Sequence, residues 1–564
     1  MRANGAEIVA RLLERYGIEI VAGIPGGANL PLYSALHGSR IRHVLARHEQ
    51  GAGFIAQGMA RSTGKPAVCL ATSGPGATNL LTAIADAKLD SVPLIAITGQ
   101  VSSGMIGTDA FQEVDTYGMT MHITKHNFLV KSARELLSVI PEAFSLATSG
   151  RPGPVLIDVP KDVQLQQIEV DEWPDVRSPE PLALDGSLIE RATRMIAKSE
   201  RPVFYAGGGI ISSGCHAELR ALSTKNSIPV ALTLMGLGAV PPDDPRYLGM
   251  LGMHGARLTN IVLDEADLVL AFGVRFDDRA VGNVREFCTE ASIIHVDIDE
   301  AEINKIRRAD LSIVGDAGRA LRALLPLVLP DERTEWMRRI GELKQLYNSK
   351  QLAIDDTLKP CSLLRRLALV LPEETIVTTD VGQHQMWVAQ AYPFTGPRRL
   401  LTSGGLGTMG FGLPAAIGAA LGNPGRTVLC VSGDGSFQMN IQELATLAEL
   451  DLPVKIVIMN NGHLGLVRQQ QELFYEKRYI ASRFSLNLDF AALGRQFGIR
   501  GFRVSESGDL AGSVAAALSD HGPCIIEVPI HYEENVYPIV PPGAANREMI
   551  GIELHGIHQG GAGL

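Results

Sequence analysis

Gly433-Asp434-Gly435-Ser436 and, further along, Asn460-Asn461 each stand just past an apolar run of strand type, 427–432 and 453–459. Between them apolar residues recur at helical spacing: Phe437, Ile441, Leu444, Leu447 and Ala448. A strand, helix, strand passage with the right-handed crossover makes the two strands parallel. Asp434 and Asn461 then share the carboxyl edge of one sheet, where open α/β sheets bind ligands. The pair offers hard oxygen donors, and Gly435 and Ser436 open a helix with free N–H groups. That set suits a divalent cation holding a diphosphate, because Mg²⁺ takes about six oxygens and shares some of them with phosphates. Gly-Asp-Gly by itself reads as a turn. The strand contexts and the paired asparagines at this spacing turn the reading toward the cation.

A second candidate lies far away in the chain. Glu49 follows the run 42–46 and opens a helix over 51–61, within Arg47-His-Glu-Gln-Gly-Ala-Gly53. An isolated glutamate in a first helical turn complements the helix dipole and needs no further role. In an apolar, helix-walled site its pKa can instead be tuned for proton exchange.

The elements that must position these groups are α/β throughout. Short β-rich runs alternate with helical runs, which predicts three doubly wound parallel-sheet domains. The first block spans 1–165, with strands over 18–22, 42–46, 67–71, 94–98 and 155–159. A polar, proline-bearing stretch from Gln164 to Pro181 reads as a linker. The second block spans 185–330, with strands over 202–206, 230–232, 268–272 and 293–296. A charged helical stretch, Asp331 to Leu352, leads to the third block, 360–530, with strands over 375–379, 427–431, 454–459 and 524–528. A tail, 531–564, follows. The first and third blocks share a rhythm, with Gly-rich turns Ser73-Gly-Pro-Gly76 and Ser403-Gly-Gly-Leu-Gly407 in comparable places, as a duplicated domain would.

A length of 564 residues implies about three cores of ordinary size. A formal net charge of -10 argues against nucleic acid as the main partner, since phosphate binding needs a basic face. No apolar run is long enough for a membrane span. The six cysteines are scattered without metal spacing, several inside apolar strands, and read as reduced core residues. The amphipathic start, from Asn4, leaves no room for a signal or transit peptide, so the cytoplasm is expected.

The Gly433–Asn461 pattern resembles the signature of thiamine-diphosphate (ThDP) enzymes. Nearly the whole chain resembles the large, catalytic subunits of the acetolactate synthase (acetohydroxyacid synthase) family. The segments that carry the resemblance include Gly23-Ile-Pro-Gly-Gly-Ala-Asn-Leu-Pro31, Arg47–Gly53, Ser73-Gly-Pro-Gly-Ala-Thr-Asn79 and Gly107-Thr-Asp-Ala-Phe-Gln-Glu113. Others are Gly150-Arg-Pro-Gly-Pro-Val-Leu-Ile-Asp158, Gly273-Val-Arg-Phe-Asp-Asp-Arg279, Asp380-Val-Gly-Gln-His384 and Val540-Pro-Pro-Gly-Ala-Ala-Asn546.

The resemblance implies a role for each matching position. Glu49 would activate ThDP, and Val381, Gly382, Gln383, His384, Gly435 and Ser436 would hold its diphosphate. Gly407 and Met409 would lie under its rings, the bulk of Met409 bending the cofactor. Asp434, Asn461 and the backbone carbonyl of His463 would ligate Mg²⁺, which prefers oxygen to imidazole nitrogen. The middle block would bind FAD through Arg151, Gly207, Gly208, Thr233, Leu234, Met235, His254, Gly273, Arg275, Asp277, Asp297, Ile298 and Asp316. Because the implied reaction has no net redox change, that flavin would be structural. A run of three glycines alone is a turn signal.

The implied reaction decarboxylates pyruvate and joins the two-carbon unit to a second 2-keto acid, pyruvate or 2-ketobutyrate. Arg279 would hold the acceptor's carboxylate through a bidentate fork, and Gly27, Gln112, Lys161 and Met253 would line the approach. Without the resemblance, Arg279 reads as a surface ion-pair cluster and Lys161 as a solvated charge. Gln470 departs from the tryptophan that most members carry at the position contacting the acceptor's extra methyl; a subset of bacterial isozymes shares the glutamine. One methylene against an apolar wall is worth roughly 10–200-fold, so weak discrimination between acceptors is expected. The family further implies at least a homodimer and a separate small regulatory subunit. The rivals are a pyruvate oxidase, a flavin-free catabolic acetolactate synthase and a non-enzymatic scaffold paralogue. Intact Glu49, Asp434 and Asn461 weigh against the last, and Glu49 against a glyoxylate carboligase.

Overall fold

The computed structural model describes residues 1–176, 183–348, 359–504, 509–518 and 522–551. Its apolar runs assemble three six-stranded parallel sheets among the described residues. The first holds β1 (Ile20–Gly23), β2 (Arg42–Leu45), β3 (Ala67–Ala71), β4 (Leu94–Gln100), β5 (His126–Leu129) and β6 (Val155–Pro160). The second holds β7 (Pro202–Ala206), β8 (Val230–Leu232), β9 (Tyr247–Met250), β10 (Leu268–Phe272), β11 (Ser292–Asp297) and β12 (Leu311–Val314). The third holds β13 (Ile376–Thr379), β14 (Leu400–Leu401), β15 (Val428–Gly433), β16 (Val454–Asn460), β17 (Arg500–Arg503) and β18 (Cys524–Pro529).

The first sheet runs β2-β1-β3-β4-β6-β5 and the third β14-β13-β15-β16-β18-β17, the same order. Their registers agree as well. Aligning Val155-Leu-Ile-Asp-Val-Pro160 on Cys524-Ile-Ile-Glu-Val-Pro529 and following the pairings equates Gln100 with Asn460 and Cys69 with Cys430. An internal amide bridge recurs too: Gln100 donates to Asp158 (3.0 Å) and Asn460 to Glu527 (2.9 Å). The expected likeness of the two blocks is thus present in the strand order, but one expected match shifts. Ser73 is equivalent to Asp434, because the Ser73–Gly76 turn follows β3 and Asp434 follows β15. The Ser403–Gly407 loop follows β14, so its counterpart is the segment that leads from β2 into Glu49.

These two blocks form one compact unit, residues 1–183 with 354–534. The Glu49–Thr63 helix lies against the Gly412–Gly422 helix at backbone range. A Cβ on Gly58 would come within 2.1 Å of the Ala415 carbonyl oxygen, and one on Gly418 within 1.9 Å of that of Ile55. Only glycine permits that approach. An apolar core runs through both blocks, from Val44, Ile55 and Leu80 to Leu413, Ile417 and Leu447.

The middle block and the tail form a second unit, residues 184–353 with 535–564. Its sheet order, β9-β8-β7-β10-β11-β12, is that of doubly wound dinucleotide-binding sheets, with the switch point between β7 and β10. The tail is part of this packing: Asn546 donates to the Ala280 carbonyl (2.8 Å) and the Val540 N–H to that of Met253 (2.9 Å).

Three expected elements differ in detail. The linker stretch begins with a short strand, Gln167–Glu169, paired antiparallel with Arg2–Asn4, while residues 177–182 lie outside the described ones. The charged stretch is a helix over Thr334–Asn348 that packs Trp336, Ile340 and Leu343 into the middle-block core, and its expected end, 349–352, lies outside. The helix expected from Phe437 is broken into Asp434–Phe437, a 3₁₀ turn at Gln438–Asn440, and Glu443–Leu450. Asn440 turns inward at the break and donates to the Gly410 carbonyl (2.8 Å). Among the described residues no helix is long and apolar enough to cross a membrane. All six cysteines are free, and five of them are buried.

Candidate cofactor and active site

β13 and β15 deliver two aspartates side by side to the carboxyl edge of the third sheet, and their surroundings differ. Asp380 is fully satisfied: Oδ1 accepts from the N–H groups of Val381 (3.0 Å) and Gly410 (2.7 Å), and Oδ2 from the Ser432 hydroxyl (3.3 Å). Burial pushes it up to about 6, with those donors pulling the other way. Asp434 is 3 % exposed, and its Oδ2 has no hydrogen-bond partner among the described residues. Burial pushes it up to about 7, against backbone donors that include Asn461, Gly435 and Gly462. A buried, half-satisfied carboxylate is costly unless something pairs with it.

The groups around Asp434 fit a cation with a diphosphate. Asn461 follows β16 on the same edge; its Oδ1 accepts from the His463 N–H (3.0 Å) and its Nδ2 donates to Gln383 Oε1 (3.3 Å). The His463 ring stacks on Tyr532 with centroids 5.3 Å apart. Among the described residues no group of three or more His, Cys, Asp or Glu side chains could hold a metal. A cation here would therefore draw on one carboxylate, amide and backbone oxygens, and phosphate, a hard donor set suited to Mg²⁺. His384 is fully buried, with Nε2 unpartnered, and burial drops it to about 3, so the ring is neutral near pH 7. Its neighbours are glycines because a Cβ on Gly382 or Gly433 would meet the ring at 2.9 or 2.8 Å. Gly435 and Ser436 lie in the first turn after β15 and are buried.

Beyond β14, Gly404 to Gly407 are exposed, and Thr408 and Met409 are half-buried. In the first block Glu49 is 9 % exposed at the head of its helix. Its Oε2 accepts from Asn79 Nδ2 (2.9 Å), and a Cβ on Gly76 would lie 3.4 Å from Oε1. Gln112, at φ 62°, packs its backbone on Gly74 of that turn. Gly27 is exposed, and Lys161 opens a short helix after β6. Gln470 is exposed on the Gly465–Phe474 helix, next to the buried Gln469, which accepts from Gln383 (3.0 Å).

In the second unit, Gly207 to Gly209 follow β7 at the switch point. The Gly209 N–H donates to the Gly273 carbonyl (3.2 Å), and a Cβ on Gly273, at φ 58°, would lie 2.4 Å from Gly209. Thr233, Asp277 and Asp316 cap the turns that begin at Leu234, Asp278 and Ala317. Asp297 ends β11 with Ile298 after it, Leu234 and Met235 form the turn after Thr233, and Arg275 lies in the loop after β10. His254 is largely buried, and burial drops it to about 4. The Met253 N–H donates to the Arg279 carbonyl (2.7 Å), so these two expected residues are neighbours. The Arg279 guanidinium is well exposed, 3.6 Å from Asp278. Arg151 belongs to the other unit, where it donates to the Ser91 hydroxyl (2.8 Å).

Some positioning groups gave no sequence signal. Arg61, Asp86, Asp90 and Glu443 bond segments more than 300 residues away, which no local pattern encodes, and Asn79, within the Ser73–Asn79 segment, holds Glu49.

The comparisons agree with this layout. Residues 3–119 match the N-terminal TPP binding domain of thiamine pyrophosphate enzymes, 189–324 their central domain and 380–528 their C-terminal TPP binding domain. The chain is 54% identical over 553 residues to the acetolactate synthase isozyme 1 large subunit of Escherichia coli K12, covering 98% of each. It is 47% identical to the isozyme 2 large subunit of the same organism, over 97% of this chain and 99% of that one. It is 44% identical to the chloroplastic acetolactate synthase of Arabidopsis thaliana, over 97% and 84% respectively. The chain belongs to the acetolactate synthase large-subunit family of thiamine pyrophosphate enzymes.

Proposed function

We propose that the chain catalyses ThDP-dependent condensation of pyruvate with a second 2-keto acid. The products are 2-acetolactate or 2-aceto-2-hydroxybutyrate, at the first common step of branched-chain amino-acid biosynthesis. The observation that carries the site reading is the unpartnered Asp434 Oδ2 beside the helix-opening N–H groups of Gly435 and Ser436. When bound, ThDP would supply the carbon nucleophile and electron sink that decarboxylation of pyruvate and transfer of its two-carbon unit require. Asp434, Asn461 and the His463 carbonyl hold Mg²⁺; Val381, Gly382, Gln383 and the neutral His384 line the diphosphate. Gly407 leaves room under the rings and Met409 supplies bulk. Glu49, held by Asn79, would present its carboxyl to the aminopyrimidine for proton exchange. In the second unit the Arg279 guanidinium would meet the acceptor's carboxylate, with Met253 beside it; in the first, Gly27, Gln112 and Lys161 would line an approach.

The middle block takes FAD as a structural group. Its sheet order and the close approach of Gly209 to Gly273 support a dinucleotide at the switch point. Relatives are named large subunits, which supports a small-subunit partner. The working unit is at least a dimer, with Glu49 and Asp434 of one site drawn from two copies, in the cytoplasm. The test is a product assay on purified protein with both acceptors, ThDP and Mg²⁺, with the flavin spectrum recorded alongside. Acetolactate formation with bound flavin that stays oxidised supports the reading. Flavin that cycles with turnover would indicate an oxidase, and absence of flavin the catabolic type.

A further inference from the structure

The register that equates the two sheets of the first unit also equates Arg47 with Gly404 and His48 with Gly405. Each of these pairs is held in the same way by the opposite block. The N–H groups of Arg47 and His48 donate to Glu443 Oε1, at 2.9 and 3.0 Å, from the helix that follows β15. The N–H groups of Gly404 and Gly405 donate to Asp90 Oδ2 and Oδ1, at 2.9 and 2.8 Å, from the end of the helix that follows β3. Both carboxylates are out of solvent: Glu443 is 0 % exposed, and the Asp90 side chain likewise.

Each acid is in turn held in place. The Thr446 hydroxyl donates to Glu443 Oε2 (2.7 Å). Arg61 donates to Asp90 Oδ2 (3.0 Å), to Asp86 Oδ2 (2.8 Å) and to the Thr402 carbonyl (3.0 Å), with its guanidinium over the Phe411 ring. Asp86 Oδ1 accepts from the hydroxyls of Ser403 and Thr408. The loop from Thr402 to Thr408 is thus gripped at five points by first-block side chains, and the segment before Glu49 at two by a third-block side chain.

We propose that Glu443 and Asp90 are reciprocal positioning residues. Glu443 sets the carboxyl of Glu49 against the cofactor of one site, and Asp90, with Asp86 and Arg61, sets the Gly407–Met409 platform beneath the cofactor of the other. This rests on the reading that Glu49 activates ThDP and that the loop underlies its rings. A carboxylate accepting two N–H groups fixes two successive peptide planes, and misplacing a reacting group by about 1 Å costs roughly 100-fold. Glu443 acts on activation alone, whereas Asp90 acts chiefly on binding and to a lesser degree on activation, because the platform it holds also bends the cofactor.

The experiment measures the ThDP dissociation constant by calorimetry and, separately, the exchange of the thiazolium C2 proton for deuterium on saturated protein by quenched NMR. Glu443→Ala slows exchange by roughly 10- to 100-fold and leaves the dissociation constant unchanged. Glu443→Gln restores most of the rate, because its amide oxygen still accepts from both N–H groups. Asp90→Asn, which loses one acceptor, raises the dissociation constant by roughly 10- to 100-fold and slows exchange on the saturated protein less than Glu443→Ala does. Ile95→Ala, a core change in β4, lowers the unfolding temperature and moves neither readout. If Glu443→Ala fails to fold, Thr446→Val takes its place, with a smaller slowing in the same direction. The proposal is overturned if Asp90→Asn leaves the dissociation constant unchanged, if Glu443→Ala raises it, or if both lower only the unfolding temperature as Ile95→Ala does. Met409→Ala and Glu49→Gln separate the two levels. If neither moves its readout, the underlying reading fails and the proposal with it; if both do while Asp90→Asn and Glu443→Ala do not, the proposal alone fails.

Discussion

The first and third sheets have one strand order and one register, yet their carboxyl edges differ in what they carry. Beyond β15 the chain places Asp434, a buried carboxylate with a bare oxygen; beyond β3, at the equivalent position, it places Ser73. Beyond β16 stands Asn461, and beyond β4 its equivalent is Val101. The segment after β2 ends in Glu49, whose carboxyl accepts from the Asn79 amide, while the segment after β14 ends in an open glycine loop. On the proposed function, two sheets of one strand order separate two tasks. One edge would keep oxygen donors for a cation and a diphosphate, and the other an acid for moving a proton.

The largest expected effects break that division outright. Asp434→Ala abolishes activity and ThDP binding together, because the diphosphate loses its cation; titration calorimetry with Mg²⁺ present checks this. Glu49→Gln leaves binding intact and lowers turnover by roughly 10²–10⁴-fold, the usual worth of a positioned acid–base group. If the two variants lost binding equally, the edges would not be specialised. A smaller effect is expected one helix away. Gln470→Trp builds an apolar wall and raises the preference for 2-ketobutyrate over pyruvate by roughly 10–200-fold; competition between the two acceptors measures it, and an unchanged product ratio would refute it.

The smallest effect concerns stability and sharpens the comparison at Asp158, the counterpart of Glu527. Asp158 accepts from Thr98 (2.7 Å) and Gln100 (3.0 Å), and burial pushes it up to about 7, those two donors opposing. Its ordinary value is about 3.9. Between these values the folded state holds a proton that the unfolded state has lost, so this group's contribution is full below about pH 4 and disappears as pH rises to about 7. Asp158→Asn removes that dependence. Relative to the parent, the variant gains stability on going from pH 5 to pH 8 in urea unfolding of the cofactor-free protein; a constant difference would contradict the assignment.

Much of this was legible in the sequence. Runs buried on both faces, such as Ala67–Ala71, Pro202–Ala206 and Leu268–Phe272, announce central parallel strands, and their bounds agree with the structure. The strands that escaped notice lie at or near sheet edges: His126–Leu129, Tyr247–Met250, Leu311–Val314, Leu400–Leu401 and Arg500–Arg503. They are short or carry polar residues, because one side of an edge strand needs no partner. Asp434, Asn461 and Glu49 stood out because a strand end, a turn and a chemical type coincide there. Asp90 and Glu443 did not, since each acts on a backbone more than 300 residues away (|i−j| of 314 and 396), a pairing that exists only after the two blocks pack. The match drawn between Ser73–Gly76 and Ser403–Gly407 failed for the same reason: glycine content is local, whereas equivalence is set by sheet register.

The division between the two edges is tested most directly by the ThDP dissociation constant and the C2 proton exchange rate, measured side by side on Glu49→Gln with Mg²⁺ present. The third edge alone anchors the cofactor if the dissociation constant stays at the parent value while exchange slows by roughly 10²–10⁴-fold. Exchange at the parental rate, or a loss of binding that accounts for the whole defect, would contradict it.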